Sequence, residues 1–475
     1  MSGSSSHRPG DQDNLGRVVL LAAIAALGGF LFGFDSGVIN GTVDALQNEF
    51  DSDAVGTGFN VASMLLGCAV GAFFAGTLSD KFGRKPVMIT MACAFIISAW
   101  GSGIAGSSPE FVFYRILGGL AVGAASILAP AYISEIAPHR IRGRLTSLQQ
   151  LMIVIGLLAA FISNYFLASA AGGSTESLWG GFGAWQWMFW MEIIPASVFL
   201  IALFFIPESP RYLVASGKEQ EAERTLAKLA RENAAAKVRE IKETVLRERK
   251  PRISDIYSNK TGNLHPIIWV GLGLAALQQF TGINVVFYYG SVLWQAAGFT
   301  EEDALFTNVI NGSVNILFTF VAIALVDKVG RKPLLMVGGI GQAVTLGAMA
   351  VIFMMSPVSS SGNLELGEQL GLYALLAANA YIAFFAFSWG PIMWVMLGEM
   401  FSNRFRGAAL AVCGISQWGS NFLITITFPV LLGSIGLGMS YGIYAVFGIV
   451  AYLFVWKFVT ETKGKSLEEI SKEQE

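Results

Sequence analysis

The segment Asp80–Pro86, DKFGRKP, recurs almost letter for letter as DKVGRKP at Asp327–Pro333, in the other half of a 475-residue chain. Each copy interrupts two long apolar stretches, as a short loop between two membrane helices would. A second pair follows in the same order: SEIAPHRIRG at Ser134–Gly143 matches GEMFSNRFRG at Gly398–Gly407, so that Glu135, Arg140 and Arg142 answer Glu399, Arg404 and Arg406. PESPR at Pro207–Arg211 is echoed more faintly by TETKG at Thr460–Gly464. Three matched loops in one order mean a duplicated half, and a duplicated membrane half points first to a transporter.

Composition supports a membrane protein, since 54% of residues are hydrophobic and only 13% charged, far from the balance of a soluble domain. Hydropathy separates twelve stretches, at 17–40, 57–79, 86–104, 110–134, 143–168, 186–206, 266–297, 302–326, 333–355, 370–397, 406–432 and 437–459. Each is long enough to cross ~30 Å of hydrocarbon as a helix. The expected fold is all-α, with twelve transmembrane helices in two pseudo-symmetric six-helix bundles, 17–206 and 266–459. Residues 1–16 read as a disordered tail and 460–475 as a second tail. The first stretch is expected to be retained as a span. Apart from Arg115, Lys and Arg lie in or beside the tails, the central linker and the loops after even-numbered spans, whereas loops 41–56, 105–109, 169–185, 298–301, 356–369 and 433–436 have none. The positive-inside bias then puts both termini in the cytoplasm of a multi-pass plasma-membrane protein. The linker 207–265 is charged, with apolar residues at helical spacing such as Leu226 and Leu229, and reads as short amphipathic helices. Cys68, Cys93 and Cys413 fall in spans without paired spacing, so neither a disulfide nor a metal site is expected.

Charge inside a span is costly and must pair or line water. Asp35, Arg115 and Glu192, in the first, fourth and sixth spans, all come out ~8–12 Å inside the outer boundary at 1.5 Å per residue. The second half has no ionisable group at that depth. It offers amides and aromatics instead: Gln278, Gln279 and Asn284 in QQFTGIN, Asn315, Trp389 in SWG, and Gln417. On one straight helix the first three amides diverge, but a break at Gly282 converges them on a cavity. Amides donate and accept without charge, and an aromatic face is an apolar platform. The set suits a neutral polyhydroxylated molecule.

With these motifs on the page (GTLSDKFGRK, RILGGLAVG, YISEIAPHRIRG, PESPRYL, QQFTGINVVFYY, VDKVGRKP and ETKGKSLEEI, spread over nearly all of 17–470), the chain resembles the sugar porters of the major facilitator superfamily. In pattern it is similar to bacterial D-xylose/proton symporters and to animal glucose facilitators. The resemblance implies sugar contacts at Phe32, Gln150, Gln278, Gln279, Asn284, Asn315, Trp389 and Gln417, and an outer gate at Tyr288 and Tyr289. It implies proton coupling at Asp35, with Arg115 as partner and Glu192 in the same network, where facilitators carry asparagine at the first position. Leu157 stands where the xylose symporters have a second glutamine, and Gln186 and Trp187 where relatives often show an arginine. Alternating access is expected, one half rocking against the other. Asp80, Arg84, Glu135, Arg142, Glu208, Asp327, Arg331, Glu399 and Arg406 are expected to latch the cytoplasmic side while the outer side is open.

The resulting expectation is proton-coupled symport of a neutral monosaccharide, glucose, xylose or a close relative, across a bacterial inner membrane. A proton-independent facilitator is the alternative, with a sugar sensor behind it. The chain is expected to be a monomer in the lipid bilayer, with no cofactor beyond the coupling proton, no metal, no nucleic-acid partner and no enzyme activity.

Overall fold

A computed structural model describes residues 12–138, 141–229, 234–247, 253–257, 262–358, 364–402 and 405–463. Most of the expected tails, together with Arg140 and Arg404, lies outside the described residues. Membrane-length helices follow the hydropathy: α1 Gln12–Val38, α2 Ala54–Phe82, α3 Arg84–Ile104, α4 Ser108–Ile136, α5 Arg142–Ala171 and α6 Ala184–Phe205. After the linker come α7, broken into Pro266–Phe280, Ile283–Tyr288 and Gly290–Ala296, then α8 Glu301–Val329, α9 Arg331–Met355 and α10 Gly367–Met400. The last helix, Arg406–Phe458, turns back at Gly436, where φ is 79°. It therefore counts as two, α11 over 406–435 and α12 over 437–458. Twelve spans result among the described residues, and helix α1 starts inside the stretch read as a disordered tail.

Within the first half α2 packs on α4 and α1 on α5. Side-chain volume sets how close they come. A Cβ on Gly67 or Gly71 of α2 would overlap the carbonyls of Ile116 and Leu120, and one on Gly119 or Gly123 of α4 those of Met64 and Cys68. In lipid, where apolar burial drives little, such small-residue contact supplies the packing. The halves meet along α2 with α11 and α5 with α8.

The repeated loop motif has a mechanical reading. Gly83 and Gly330 turn at φ 100° and 107°, and a side chain on either would run into the carboxylate of Glu208 or Glu461. Those carboxylates cap the next helix. Glu208 accepts from the backbone N–H of Arg84 (2.9 Å) and Glu461 from that of Arg331 (3.1 Å), satisfying amides that a helix start leaves free. The linker helices Pro210–Ala215, Glu219–Leu229 and Ala234–Arg247 turn their apolar sides on one another, burying Leu213, Val214, Ala222 and Val238.

Candidate functional site

The charged cluster forms in the first half. Asp35 on α1 and Arg115 on α4 are each 1% exposed and are ion-paired through Asp35 Oδ1 and Arg115 Nη1. Arg115 Nη2 also donates to the Asp35 carbonyl (3.1 Å) and lies 3.0 Å from Met64 Sδ. Its guanidinium carbon lies 5.5 Å from the centre of the Phe189 ring, one turn before Glu192 on α6. Glu192 is equally buried, and the charges acting on it are Asp35 and Arg115. Asp35 Oδ2, Arg115 Nε and Glu192 Oε1 have no hydrogen-bond partner among the described residues. Three ionisable groups are thus buried together with bonding capacity in hand. Gln186, at the position noted for an arginine, instead ties α6 to α3 by donating to the Gly103 carbonyl (2.8 Å).

The amides converge in the second half. Gly282 takes the left-handed conformation (φ 84°) and breaks α7 where the sequence suggests. Across the break Asn284 Nδ2 donates to Gln279 Oε1, Gln279 Nε2 to Gln278 Oε1 (3.0 Å), and Gln278 Nε2 to the Trp389 carbonyl (2.8 Å). The acceptor end is a π-helical turn, Phe385–Trp389, inside α10. Phe32 on α1 meets the Trp418 ring of α11 at 5.9 Å. Phe32, Gln150 and Asn284 keep partial exposure. Gln417 is buried, with its Oε1 unpartnered among the described residues, and Asn315 is buried on α8. Trp389 departs from the expected platform. Its ring is fully buried and its indole N–H donates to the Leu335 carbonyl of α9 (2.9 Å), so it faces α9. Leu157 is buried beneath Gly37 of α1.

At the end bare of Lys and Arg, read above as outer, the seam between the halves is closed. Tyr289 is buried, its hydroxyl donating to the Thr425 carbonyl (2.9 Å), and Tyr288 accepts from Asn421 (3.4 Å). Sequence reasoning missed the clasp above them. Asn40, at the end of α1, donates to the Phe287 carbonyl (2.8 Å) and accepts from Asn308 Nδ2 (2.8 Å) and the Ser291 N–H (3.3 Å). Gln295 donates to Asp44 (2.6 Å), and Glu301 accepts from the Ser174 N–H (2.9 Å). The only hint in the sequence was that Asn40 is a polar residue at a span end within a glycosylation-like NGT. Beside the clasp a cavity of 240 Å³ opens between Val43, Thr57, Val292 and Phe428, away from both the charges and the amides.

At the basic end each expected latch network closes within its own half. Arg84 bonds Glu135 through Nε (3.1 Å) and Nη2 (2.9 Å), and Asp80 at 3.1 Å. Arg331 repeats this on Glu399 (3.0 and 2.7 Å) and Asp327 (3.1 Å). The expected cross-partnership between halves is not what this conformation holds. Arg142 and Arg406 reach no carboxylate among the described residues and donate to the Ala137 and Phe401 carbonyls. Glu461 was overlooked as the counterpart of Glu208, although the faint TETKG echo carried the signal. Burial opposes its charge, but backbone N–H groups of Lys463, Arg331, Lys332 and Thr462 outweigh that and hold its carboxyl below the usual range.

Two six-helix halves around a seam, with a buried charge set in one half and neutral amides in the other, define a membrane transporter for a polar, uncharged solute. The chain belongs to the sugar (and other) transporter family, whose model matches residues 21–473. It is 52% identical over 458 residues to a glucose transport protein of Synechocystis sp., covering 96% of this chain and 97% of that one. It is 39% identical over 492 residues to the D-xylose-proton symporter of Escherichia coli (strain K12), covering 97% and 96%. The inward open conformation of the xylose transporter XylE from E. coli superposes with a TM-score of 0.82 at 37% identity, over 96% of this chain and 100% of that one. The protein is a multi-pass membrane protein of the sugar porter type.

Proposed function

We propose that the chain carries a neutral monosaccharide together with a proton across a bacterial inner membrane, by alternating access, with both termini cytoplasmic and the single chain as the working unit. The observation that carries the reading is the buried Asp35–Arg115 pair beside Glu192, in a half whose other charged residues lie toward the ends of its spans. A permanently paired structural bridge would use its bonding capacity fully, whereas Asp35 Oδ2 and Glu192 Oε1 are unpartnered. Protonation of Asp35 neutralises it and frees Arg115 for Glu192, and the proton leaves when the pair re-forms. The chain Asn284, Gln279, Gln278 supplies donors and acceptors to sugar hydroxyls, with Gln150, Asn315, Gln417 and Phe32 on the surrounding helices. Trp389 shapes the site from behind, through the carbonyl it presents to Gln278. The relatives' names support glucose and xylose as the first sugars to test. No metal or organic cofactor enters this reading, and the chemistry is transport rather than catalysis.

The test is uptake of labelled D-glucose and D-xylose into proteoliposomes, with and without an inward proton gradient, for wild type and Asp35→Asn. Accumulation above equilibrium in wild type, lost in Asp35→Asn while counterflow persists, is the expected result. Flux that ignores the gradient in both proteins would make it a facilitator.

A further inference from the structure

Asn308, Asn311 and Asn315 follow one another at three- and four-residue steps along α8, so they share a face. The outermost, Asn308, belongs to the clasp with Asn40. The innermost, Asn315, belongs to the proposed sugar site. Asn311 lies between them, 1% exposed, and neither its Oδ1 nor its Nδ2 has a partner among the described residues. Its neighbour Gly312 faces Leu158 and Phe161 of α5 across the seam, so this level of α8 borders the route between the halves. A buried amide with both ends unpaired is unfavourable and uncommon. A residue kept that way in one conformation is explained most simply by partners in another.

We infer that Asn311 is a further sugar-positioning residue on the outer approach to the binding site. The inference rests on the sugar-transport reading above and names a contact within it. With the outer seam open, the Asn311 amide takes a sugar hydroxyl ~6 Å, one helical turn, before Asn315. When Asn40 and Asn308 close the seam, the sugar has moved inward and Asn311 is left unpaired. Closure therefore disfavours retention of sugar at the outer level. The role is confined to loading from outside, since a sugar arriving from the other face meets Asn315 first.

The experiment measures KM for D-glucose from each face in oriented proteoliposomes, for wild type, Asn311→Ala and Asn311→Ser, and repeats the outer measurement with the single-deoxy glucoses. The expected result is an outer KM raised about fivefold in Asn311→Ala, the loss of one net hydrogen bond between neutral groups, with the inner KM unchanged. One deoxy sugar should show the same outer KM in wild type and variant, because the hydroxyl that meets Asn311 is already missing. Asn311→Ser, which keeps a polar group, should show a smaller rise and serves if the alanine variant does not fold. An unchanged outer KM, or a rise equal for every deoxy sugar, would make Asn311 a packing residue and overturn the assignment. A wild type that moves no sugar would refute the transport reading and the assignment together, whereas flux with an unchanged variant refutes the assignment alone.

Discussion

Asp44 sits where the halves meet at the outer end, its Oδ2 accepting from Gln295 of the other half. Burial raises its carboxyl above the ordinary aspartate value; the Gln295 bond partly offsets this, and the nearby Glu301 charge adds to the rise. Opening the seam exposes Asp44 and returns its carboxyl to the ordinary aspartate range. Closing therefore takes up a proton, and the sign follows. As outer pH falls from above the raised pKa toward the ordinary one, the closed state gains, by at most tenfold in population per unit of the rise. Labelling of a cysteine at Val292 should accordingly slow as outer pH falls. Asp44→Asn should hold the slow rate throughout, and the same pH slope in the variant would exclude Asp44. At this scale the sequence was readable wherever a residue type was anomalous for its place. Asp35, Arg115 and Glu192 stood out because charge does not belong in lipid. Asn40 and Asp44 did not, because polar residues at span ends are ordinary and their partners lie some 250 positions away. The Trp389 ring direction was equally hidden, since a helix position does not say which neighbour a ring meets.

The break in α7 is the element on which the amide chain depends. Gly282 holds a left-handed backbone at φ 84°, and a Cβ there would fall 2.8 Å from the Tyr444 ring. Gly282→Ala adds backbone strain of about 1–3 kcal/mol as well as that clash. It should therefore rotate Asn284 away from Gln279 and weaken sugar binding by roughly tenfold or more. Gly414→Ala, on α11 with nothing within 4 Å, is the control and should bind as wild type. Equal affinities in the two variants, by equilibrium binding in detergent, would show that the break does not position the amides. This element was legible because a glycine lay between amides that a straight helix would scatter. The π-helical turn in α10 was not, since one extra residue in a hydrogen-bond ladder leaves no periodic mark in the sequence. The linker helices were legible as amphipathic, but their apolar sides meet each other, which composition alone does not distinguish from lying on the membrane.

At the scale of the whole molecule the two ends of the seam are built differently, and the difference has a testable sign. The outer end is held across the halves by uncharged donors and acceptors, chiefly the three bonds of Asn40, and by the carboxylates Asp44 and Glu301. At the basic end the Arg84 and Arg331 networks lie within their own halves in this conformation. Bonds present in both conformations cancel, and an equilibrium moves only by contacts that differ between states. The Asn40 bonds cross between the halves and belong to the outside-closed state. At ~0.5–1.5 kcal/mol each, Asn40→Ala should shift the population toward outside-open by roughly tenfold or more. If the basic loops of the two halves meet when that end closes, Arg84→Ala removes contacts found only in the outside-open state and should shift the population the other way. The two sites lie at opposite ends of the seam and share no hydrogen-bond partner among the described residues, so their effects should add, and the double variant should return close to wild type. Spin-label distances measured across each end in the same four proteins test this. Opposite single shifts that cancel in the double variant support a latch at each end. An Arg84→Ala variant that leaves both distances unchanged would reduce the shared geometry of the repeated loops to the capping of α3 and α9, leaving the outer clasp as the element that sets the balance.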